Sequence, residues 1–373
     1  MNLQSQKWLD EKLARIATLE SYTPEKTVEG VVKQFGLSPS AIVKLNFNEN
    51  LYIPREKLVV LMKEVVEECD LRLYPQEEEK RLRDALGDYL KLSRVCTAVG
   101  NSSDEVMDRI TRLFLEKGDT AVTFSPTFSV FKYCVQYQGA GYIAVPLKKR
   151  FNLDFESMVA AFTPKTKLLY LCSPNNPTGN QLELDDVEAL IEAFPGIVMV
   201  DEAYGEYADY SVIPLINKYE NLVVLRTFSK AFGLAGLRLG YAAANPTLAN
   251  AINKIPAPYA INAVTLTMGR KLLEKIAMVR EAVSALKIER EKLTRSLNEI
   301  ASVEAFDSSA NFVLFNVGKP YEGVYLNLLE KGLIIKKLGR LLEYNNCLRV
   351  TVGLPEMNVR ILKALREYLS DTP

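Results

Sequence analysis

The sequence predicts an α/β fold built on a mostly parallel sheet, with a second, smaller α/β unit beside it. Between residues 120 and 244, short apolar runs are continuous rather than alternating, as expected of strands buried on both faces. Helical periods at 105–119 and 184–194 separate some of these runs, which is typical of parallel βαβ units. After about residue 262, long helical patterns take over and further short strands follow. These three observations predict two α/β units in one chain.

The strands predicted for the first unit are rich in Val, Ile, Leu and Tyr. In chain order they are TAVTF (120–124), YIAVP (142–146), KLLYLC (167–172), IVMVDEAY (197–204), NLVVLRTF (221–228) and RLGYAAA (238–244). The second unit is predicted to contain a long helical stretch, three strands and a closing helix, at 268–300, 311–317, 332–338, 345–353 and 355–369.

The chain ends are expected to belong together. The first 45 residues are polar and helical in pattern, with a Pro- and Gly-containing bend, and we expect them to pack on the smaller unit. The predicted division is a large domain at 46–262 and a small domain formed by 1–45 with 263–373.

Composition narrows the classes of partner. The 46 basic residues balance the 46 acidic ones, so there is no basic field to hold nucleic acid. No apolar run approaches the roughly 18 residues that cross a bilayer, and the polar start does not resemble a signal peptide. The five scattered cysteines form no Cys-x-x-Cys pair, which favours buried thiols over disulfides or a metal site. We expect a cytoplasmic protein with a small-molecule partner and no membrane or nucleic-acid contact.

The chain contains no histidine. This excludes Ser-His-Asp and Cys-His nucleophilic sites and removes the commonest general base near neutral pH. Acid–base chemistry must therefore use Lys, Asp, Glu, Tyr or Cys.

Polar residues stand at the ends of three predicted strands. Asp201 follows IVMV, the stretch SPNNPTG (173–179) follows KLLYLC, and Lys230 follows NLVVLRTF at a distance of two residues. Ligands of open α/β sheets bind at the carboxyl ends of strands, so one pocket is the economical explanation. Each feature alone also fits a plain role: a cap or turn for Asp201, a structural turn for SPNNPTG, and a solvated surface lysine for Lys230.

The pair of Lys230 and Asp201 suggests a chemistry. A desolvated lysine is a good amine nucleophile and can form a Schiff base with an aldehyde, which implies an aldehyde cofactor. If that cofactor contains a pyridine ring, a carboxylate facing the ring nitrogen keeps it protonated and lets the ring accept electrons. A phosphate on it could bind hydroxyls, a guanidinium and the start of a helix. The candidates for these contacts are Ser102, Ser103, Asp104, Thr227, Ser229 and Arg238.

The joint order of SPNNPTG, DEAY and TFSKAFGLAGLRLGY resembles the class I/II aminotransferases, which are fold-type I enzymes that use pyridoxal 5′-phosphate (PLP). The resemblance covers nearly the whole chain. It implies that Lys230 carries the cofactor covalently, that Asp201 pairs with the ring nitrogen, and that the six residues above hold the phosphate. It also implies that Asn176 and Tyr204 bind the ring hydroxyl and that Phe128 stacks on the ring, although Phe128 fits a core aromatic equally well.

Narrower signals resemble one branch, the histidinol-phosphate aminotransferases. They are LNFNEN (45–50), SYTPEK (21–26), LYPQ (73–76), PAPYAIN (256–262), SSANFVLF (308–315) and NNCLRVTVG (345–353). The resemblance implies amino-group exchange between L-histidinol phosphate and the 2-oxo acid 2-oxoglutarate. It also implies a homodimer with shared active sites.

The same resemblance assigns substrate contacts. Arg349 would bind the amino-acid end of the substrate and Asn50 would contact it. Tyr74 would reach the cofactor phosphate of the neighbouring subunit, and Tyr22 and Tyr259 would contact the substrate phosphate from the partner chain.

Two positions depart from the pattern of this branch. Leu51 stands where the family usually has proline after Asn-Glu-Asn, and Lys336 stands where a phosphate-binding arginine is usual. Lysine keeps the charge but loses the two-pronged contact. An aromatic amino-acid aminotransferase and a threonine-phosphate decarboxylase therefore stay open as alternatives, which the cationic contacts to phosphate should discriminate.

Two other classes fit less well. A dinucleotide-dependent oxidoreductase would use Gly233, Gly236 and Gly240 as a phosphate loop, but their spacing is not Gly-x-Gly-x-x-Gly and the stretch does not open the first βα turn. A DNA-binding regulator with this fold would need an additional basic helix-turn-helix domain.

Overall fold

The computed structural model describes residues 3–18 and 26–371. The helices are α1 Leu3–Ala17, α2 Val28–Phe35, α3 Arg55–Glu68, α4 Glu78–Leu90, α5 Ser103–Phe114, α6 Val130–Gln138, α7 Phe155–Ala160, α8 Leu184–Ala193, α9 Pro246–Asn253, α10 Ala263–Glu274, α11 Ile276–Asn298, α12 Tyr321–Glu330 and α13 Pro355–Asp371. The strands are β1 Val43–Lys44, β2 Thr97–Gly100, β3 Thr120–Ser125, β4 Gly141–Pro146, β5 Thr166–Cys172, β6 Ile197–Asp201, β7 Leu222–Thr227, β8 Gly240–Ala244, β9 Val303–Ala305, β10 Phe312–Val317, β11 Leu333–Ile334, β12 Lys336–Leu341 and β13 Tyr344–Thr351.

The larger sheet confirms the predicted fold class. Within the described residues it has seven strands in the order β2-β8-β7-β6-β5-β3-β4. Strands β4, β3, β5, β6 and β7 are parallel, and β8 runs antiparallel to both β7 and β2. Every residue of β7 is buried, which explains its continuous apolar run. Because β5, β6 and β7 are adjacent and parallel, the residues that follow them lie along one edge of the sheet.

The smaller sheet is antiparallel, in the order β12-β13-β10-β9, and α11 packs on β9 and β10. The segment before residue 45 reaches this unit, because β1 pairs with β11 in parallel. Val31 of α2 packs with Leu329 and Ile334 in a small apolar cluster. Helix α10 packs instead on α3 and α4, beside the larger sheet.

Some element boundaries differ from the sequence prediction for physical reasons. The strand predicted at 238–244 begins only at Gly240, because Arg238 adopts a left-handed conformation with φ 52° that a strand cannot contain. The helical stretch predicted at 268–300 is two helices, since Lys275 has a non-helical ψ of 30° between α10 and α11.

Over residues 3–18 and 26–371, no helix has both the length and the apolar character needed to cross a membrane.

Candidate active site

A cavity of about 600 Å³ lies at the carboxyl ends of β5, β6 and β7, where residues of β12 and β13 close its other side. Twelve residues singled out from the sequence line it. They are Ser103, Asp104, Phe128, Asn176, Asp201, Tyr204, Thr227, Ser229, Lys230, Arg238, Lys336 and Arg349. The expectation that the strand ends form one pocket is confirmed.

Lys230 projects into this cavity from the loop after β7. Its Nζ donates a hydrogen bond to the backbone oxygen of Phe47 at 2.8 Å and lies 5.7 Å from the ring centroid of Tyr204. Burial, together with the nearby positive charge of Arg349, lowers the pKa of the Lys230 amine to about 8. A fraction of this amine is therefore neutral and nucleophilic near physiological pH.

Asp201 is the last residue of β6, and its carboxylate is held from two sides. The hydroxyl of Tyr170, on β5, donates to Oδ2 at 2.7 Å, and the amide of Ala203 donates to Oδ1 at 3.0 Å. Only 2% of the residue is exposed, and this burial raises the pKa of Asp201 to about 6 although the Tyr170 hydrogen bond opposes the rise. The carboxylate is thus fixed in direction and ionised at neutral pH.

Tyr204 lies three residues beyond Asp201, where its hydroxyl accepts a hydrogen bond from Nδ2 of Asn48 at 2.9 Å. Burial raises the pKa of Tyr204 above its ordinary value, so the hydroxyl keeps its proton. Asn48 has a left-handed φ of 56°, and its backbone is fixed because the backbone N–H of Asn48 donates to Oγ1 of Thr351 at 2.9 Å. The loop before α3 is therefore tied to both sheets.

A set of groups suited to an anion lies at the start of α5. Ser102 caps this helix by accepting a hydrogen bond from the backbone amide of Glu105, and unlike Ser103 and Asp104 it does not line the cavity. Arg238 donates to Oγ of Ser229 at 3.2 Å and to Oδ2 of Asp104 at 3.0 Å. Helix N-termini, hydroxyls and a guanidinium together can bind a phosphate.

Gly240 allows this helix start to approach β8. A Cβ atom at Gly240 would lie 2.2 Å from the backbone nitrogen of Ser103, so no larger residue fits without displacing the turn.

Arg349 and Lys336 form the opposite wall, as register partners on the neighbouring strands β13 and β12. The Arg349 guanidinium donates to the backbone oxygen of Asn46 at 2.9 Å and to Oδ1 of Asn176 at 2.5 Å. It also lies 4.9 Å from the ring centroid of Phe312, a cation–π distance. Two cations thus face the cavity from the smaller unit.

Besides Ser102, four predicted site residues do not line this cavity or cannot be placed. Asn50 lines a separate cavity of about 410 Å³, where its side chain bonds to the backbone of Ala231 and Tyr52. Tyr74 and Tyr259 stack on each other at 5.1 Å between ring centroids, exposed at 74% and 51%. Tyr22 falls outside the described residues.

Sequence reasoning missed two residues of the site. Tyr170 stands in an apolar strand, where a tyrosine resembles any core aromatic, and only the register of β5 against β6 brings it to Asp201. Asn48 belongs to the motif LNFNEN and stands two residues before Asn50. Nothing in that motif indicates that Asn48, rather than Asn50, lines the cavity.

Comparisons with known proteins agree with this geometry. Residues 40–365 match the family model for aminotransferase class I and II. The histidinol-phosphate aminotransferase of Thermoanaerobacter pseudethanolicus is 35% identical over 327 residues, which are 87% of this chain and 93% of that protein. That of Roseiflexus castenholzii is 36% identical over 359 residues, which are 94% and 96% of the two chains.

Solved structures share the architecture. Histidinol-phosphate aminotransferase from Sinorhizobium meliloti, crystallised in complex with pyridoxal-5′-phosphate, superimposes with a TM-score of 0.85 at 26% identity and covers 95% of this chain and 96% of its own. Aspartate aminotransferase from Thermotoga maritima, at 20% identity, shares the fold with a TM-score of 0.80 over 96% of this chain and 99% of its own.

The mostly parallel sheet, with a lysine and a buried carboxylate at its strand ends, defines a fold-type I enzyme. With the family match over residues 40–365, the assignment becomes specific. The chain belongs to the class I and II aminotransferase family.

Proposed function

We propose that this protein is a PLP-dependent aminotransferase that exchanges the amino group between L-histidinol phosphate and 2-oxoglutarate. The observation that carries the proposal is that one cavity combines a lysine, a buried carboxylate and an anion-binding helix start with two further cations on the opposite wall. The relatives that cover most of this chain are named histidinol-phosphate aminotransferases, which supports the choice of amino donor.

The donor set of the cavity fits the cofactor. An aldehyde needs an amine with a depressed pKa, and Lys230 has one near 8. A pyridine nitrogen needs a fixed carboxylate, which Asp201 would supply, while Asn176 and Tyr204 would bind the ring hydroxyl and Phe128 would stack on the ring. The phosphate would be held by Ser102, Ser103, Asp104, Thr227, Ser229 and Arg238.

The negative charge of Asp104 would work against a bound phosphate if it stood alone. Arg238 forms an ion pair with the Asp104 carboxylate at 3.0 Å. The backbone amides at the start of α5 add further positive potential for the phosphate.

When bound, PLP supplies an aldehyde that reacts with amines and a ring that accepts electrons from the substrate's Cα–H bond. Within this chain, Nζ of Lys230 would then take the proton from the substrate's Cα and deliver it to the cofactor's C4′ carbon. Asp201, ionised above about pH 6, would hold a proton on the ring nitrogen. Tyr170 would keep the Asp201 carboxylate aimed at that nitrogen through their hydrogen bond.

Arg349 and Lys336 would share the recognition of the two substrates. A planar guanidinium suits a carboxylate or a phosphate, so Arg349 would bind the carboxylate beside the oxo group of 2-oxoglutarate and, in its place, the phosphate end of the donor. Lys336 would provide charge for the donor's phosphate. Asn50, predicted as a substrate contact, would serve the site by fixing the loop that carries Asn48 through its bonds to Ala231 and Tyr52.

The proposal includes a cytoplasmic homodimer with shared active sites. Tyr74 and Tyr259 support it, because two exposed, stacked tyrosines are available to a neighbouring chain. Tyr22 would contact the substrate phosphate from the partner chain, as the resemblance implies. The five buried thiols suit a reducing compartment. The large domain would comprise residues 46–262 and the small one 1–45 with 263–373, of which α10 packs on α3 and α4 of the large domain.

A panel of amino donors tests the proposed reaction. The wild-type protein with 2-oxoglutarate is expected to give its highest kcat/KM on L-histidinol phosphate, with phenylalanine and tyrosine well below it and no carbon dioxide released from threonine phosphate. A higher kcat/KM on phenylalanine or tyrosine would make it an aromatic aminotransferase, and carbon dioxide release would make it a threonine-phosphate decarboxylase.

A further inference from the structure

A buried charge cluster lies beside the cavity, around residues of the 201–206 segment that do not line it. Its centre is Arg226, one residue before the end of β7. The guanidinium donates from Nε to Oε2 of Glu202 at 2.9 Å, from Nη1 to Oε1 of Glu206 at 2.6 Å, and from Nη2 to Oγ of Ser211 at 3.0 Å. One side chain therefore holds three partners from the segment that follows β6.

The partners of Arg226 are fixed in turn. Glu202 accepts from the Ser211 hydroxyl and from the amide of Val212, both at 2.7 Å. Glu206 accepts from the hydroxyl of Tyr89 at 3.3 Å. The side chains of the arginine and both glutamates are exposed by only 3–7%. At this depth water screens the ion pairs little, and each of the three guanidinium nitrogens has a defined partner.

The backbone is adapted to this contact at Gly205. A Cβ atom there would lie 2.6 Å from Cζ of Arg226, so the guanidinium packs directly against the turn. No other residue would fit at 205 without moving either the turn or Arg226.

The cluster joins the two segments that carry the proposed chemistry. Along residues 201–206, Asp201 and Tyr204 line the cavity while Glu202 and Glu206 point to Arg226. On β7, Arg226 immediately precedes Thr227, which lines the cavity. Because successive residues of a strand point to opposite faces, Arg226 points away from the cavity that Thr227 lines. A displacement of the backbone at Arg226 would therefore be passed on to Thr227.

Stability alone explains this cluster poorly. Burying three charges costs desolvation energy that ion pairing often fails to recover, and apolar replacements of similar volume are frequently no less stable. The two strands are also joined without the cluster, since the parallel pairing of β6 with β7 extends to Asp201 and Leu225. What the cluster adds is control over the turn beyond the last register pair.

We propose that Arg226 is a positioning residue that sets the Asp201–Tyr204 segment relative to Lys230. The proposal rests on the function proposed above, in which Asp201 faces the ring nitrogen and Lys230 moves the proton. Arg226 touches neither group. It acts by holding Glu202 and Glu206 at the back of the segment.

Arg226→Lys tests this, because a lysine keeps the charge but cannot hold two carboxylates and a hydroxyl with one planar fork. The matched control is Arg270→Lys. Arg270 also bridges two glutamates, Glu68 and Glu274, but on α10 and away from the cavity. Four quantities are measured for both variants and the wild type: thermal midpoint of the cofactor-free protein, dissociation constant for PLP, pH midpoint of the bound cofactor's visible band, and kcat with KM for the donor.

For Arg226→Lys we expect kcat to fall at least about 10-fold while the donor KM stays within about 3-fold, since transition-state alignment is lost rather than binding. The pH midpoint of the visible band should move by about half a unit or more, because Asp201 no longer faces the ring nitrogen at its original distance. Arg270→Lys should change the thermal midpoint alone. The inference is overturned if Arg226→Lys behaves like Arg270→Lys, losing thermal stability with an unmoved band and unchanged kcat.

Glu202→Asp is the second variant and decides the question if Arg226→Lys does not fold. The shorter carboxylate keeps its charge but cannot reach Arg226 and the amide of Val212 together, so the band and kcat should change in the same direction by a smaller amount. A wild-type band and kcat in folded Glu202→Asp would overturn the inference. Failure of the proposed function can be told apart from failure of this inference. If the wild type prefers another donor, the proposed substrate is wrong, but the visible band and the dissociation constant for PLP do not depend on the donor and still test the role of Arg226.

Discussion

The hydroxyl of Tyr170 donates a hydrogen bond to Oδ2 of Asp201 at 2.7 Å, from one buried strand to its parallel neighbour. This bond opposes the effect of burial on the carboxylate and favours its ionised form. The ring of Tyr170 is held in turn by stacking on Phe131, with centroids 4.3 Å apart. The direction and the charge of Asp201 therefore depend on a residue that does not line the cavity.

Replacing Tyr170 with phenylalanine keeps the stacked ring and removes the donor. We expect the pKa of Asp201 to rise further, so the acid limb of the profile of kcat/KM against pH should move to higher pH. The loss of about one hydrogen bond should also lower kcat by roughly 3- to 10-fold. Tyr219→Phe is the control, since the Tyr219 hydroxyl also donates to a carboxylate, that of Glu188 at 3.0 Å, but does not line the cavity. An acid limb identical to that of the wild type would contradict the role of Tyr170.

The burial of Asp201 should also be visible in the stability of the cofactor-free protein. The pKa of Asp201 is about 6 in the folded protein and lies near 4 when unfolded, so the folded state binds more protons between these values. The free energy of unfolding contributed by this group therefore falls as pH rises from about 4 to about 6, by on the order of 2–3 kcal/mol, and is constant above about 7.

Asp201→Asn removes this titration. Chemical denaturation of both proteins across pH 4–8 should show the wild type losing stability relative to the variant within that window. A difference that stays constant with pH, or that grows in favour of the wild type, would mean that Asp201 is not buried as the structure has it.

Shared active sites predict complementation between inactive chains. Lys230→Ala removes the amine, and Tyr74→Ala removes a side chain that we assign to the neighbouring subunit. Each heterodimer should regain one intact site, and so up to about half of the wild-type activity per dimer, because its other site carries both defects. A random 1:1 mixture, in which about half of the dimers are mixed, should recover up to about a quarter. Confirmed heterodimers without any recovery would indicate that each site is contained within one chain.

Lys336 is predicted to serve the donor's phosphate. A charge-assisted contact contributes about 1.5–3 kcal/mol, so Lys336→Ala should lower kcat/KM for histidinol phosphate by roughly 10- to 150-fold. Phenylalanine has no phosphate and should change by less than about threefold on the same reasoning. Lys336→Arg is the matched variant, and it should hold or raise the activity on the phosphorylated donor. Equal losses on both donors would remove Lys336 from phosphate recognition.

The strand-end residues could be predicted from the sequence, because their positions follow from short-range pattern. Continuous apolar runs locate the buried parallel strands, and Asp201 and Lys230 stand where those runs stop. The carboxyl ends of parallel strands share one edge, so the pocket followed without further information.

Contacts across the sheet could not be predicted in this way. The bond between Tyr170 and Asp201 requires the register that pairs Cys172 with Asp201, and no local pattern encodes that register. Arg226 stands inside an apolar run, and its three partners come from a turn whose path is set by tertiary packing. The role of the exposed Tyr74 and Tyr259 depends on a neighbouring chain, which local sequence patterns do not describe.

The central claim is that a single lysine, Lys230, both carries the cofactor and moves the proton. Borohydride reduction of the PLP-loaded protein, followed by peptide mapping, tests it most directly. The wild type should carry one reduced cofactor link, on the peptide that contains Lys230. Lys230→Ala should bind PLP without a reducible link and lose at least about 10³-fold in turnover, because nucleophile and proton carrier vanish together. A label on another lysine in the wild type, or a stoichiometric label that persists in Lys230→Ala, would contradict the account.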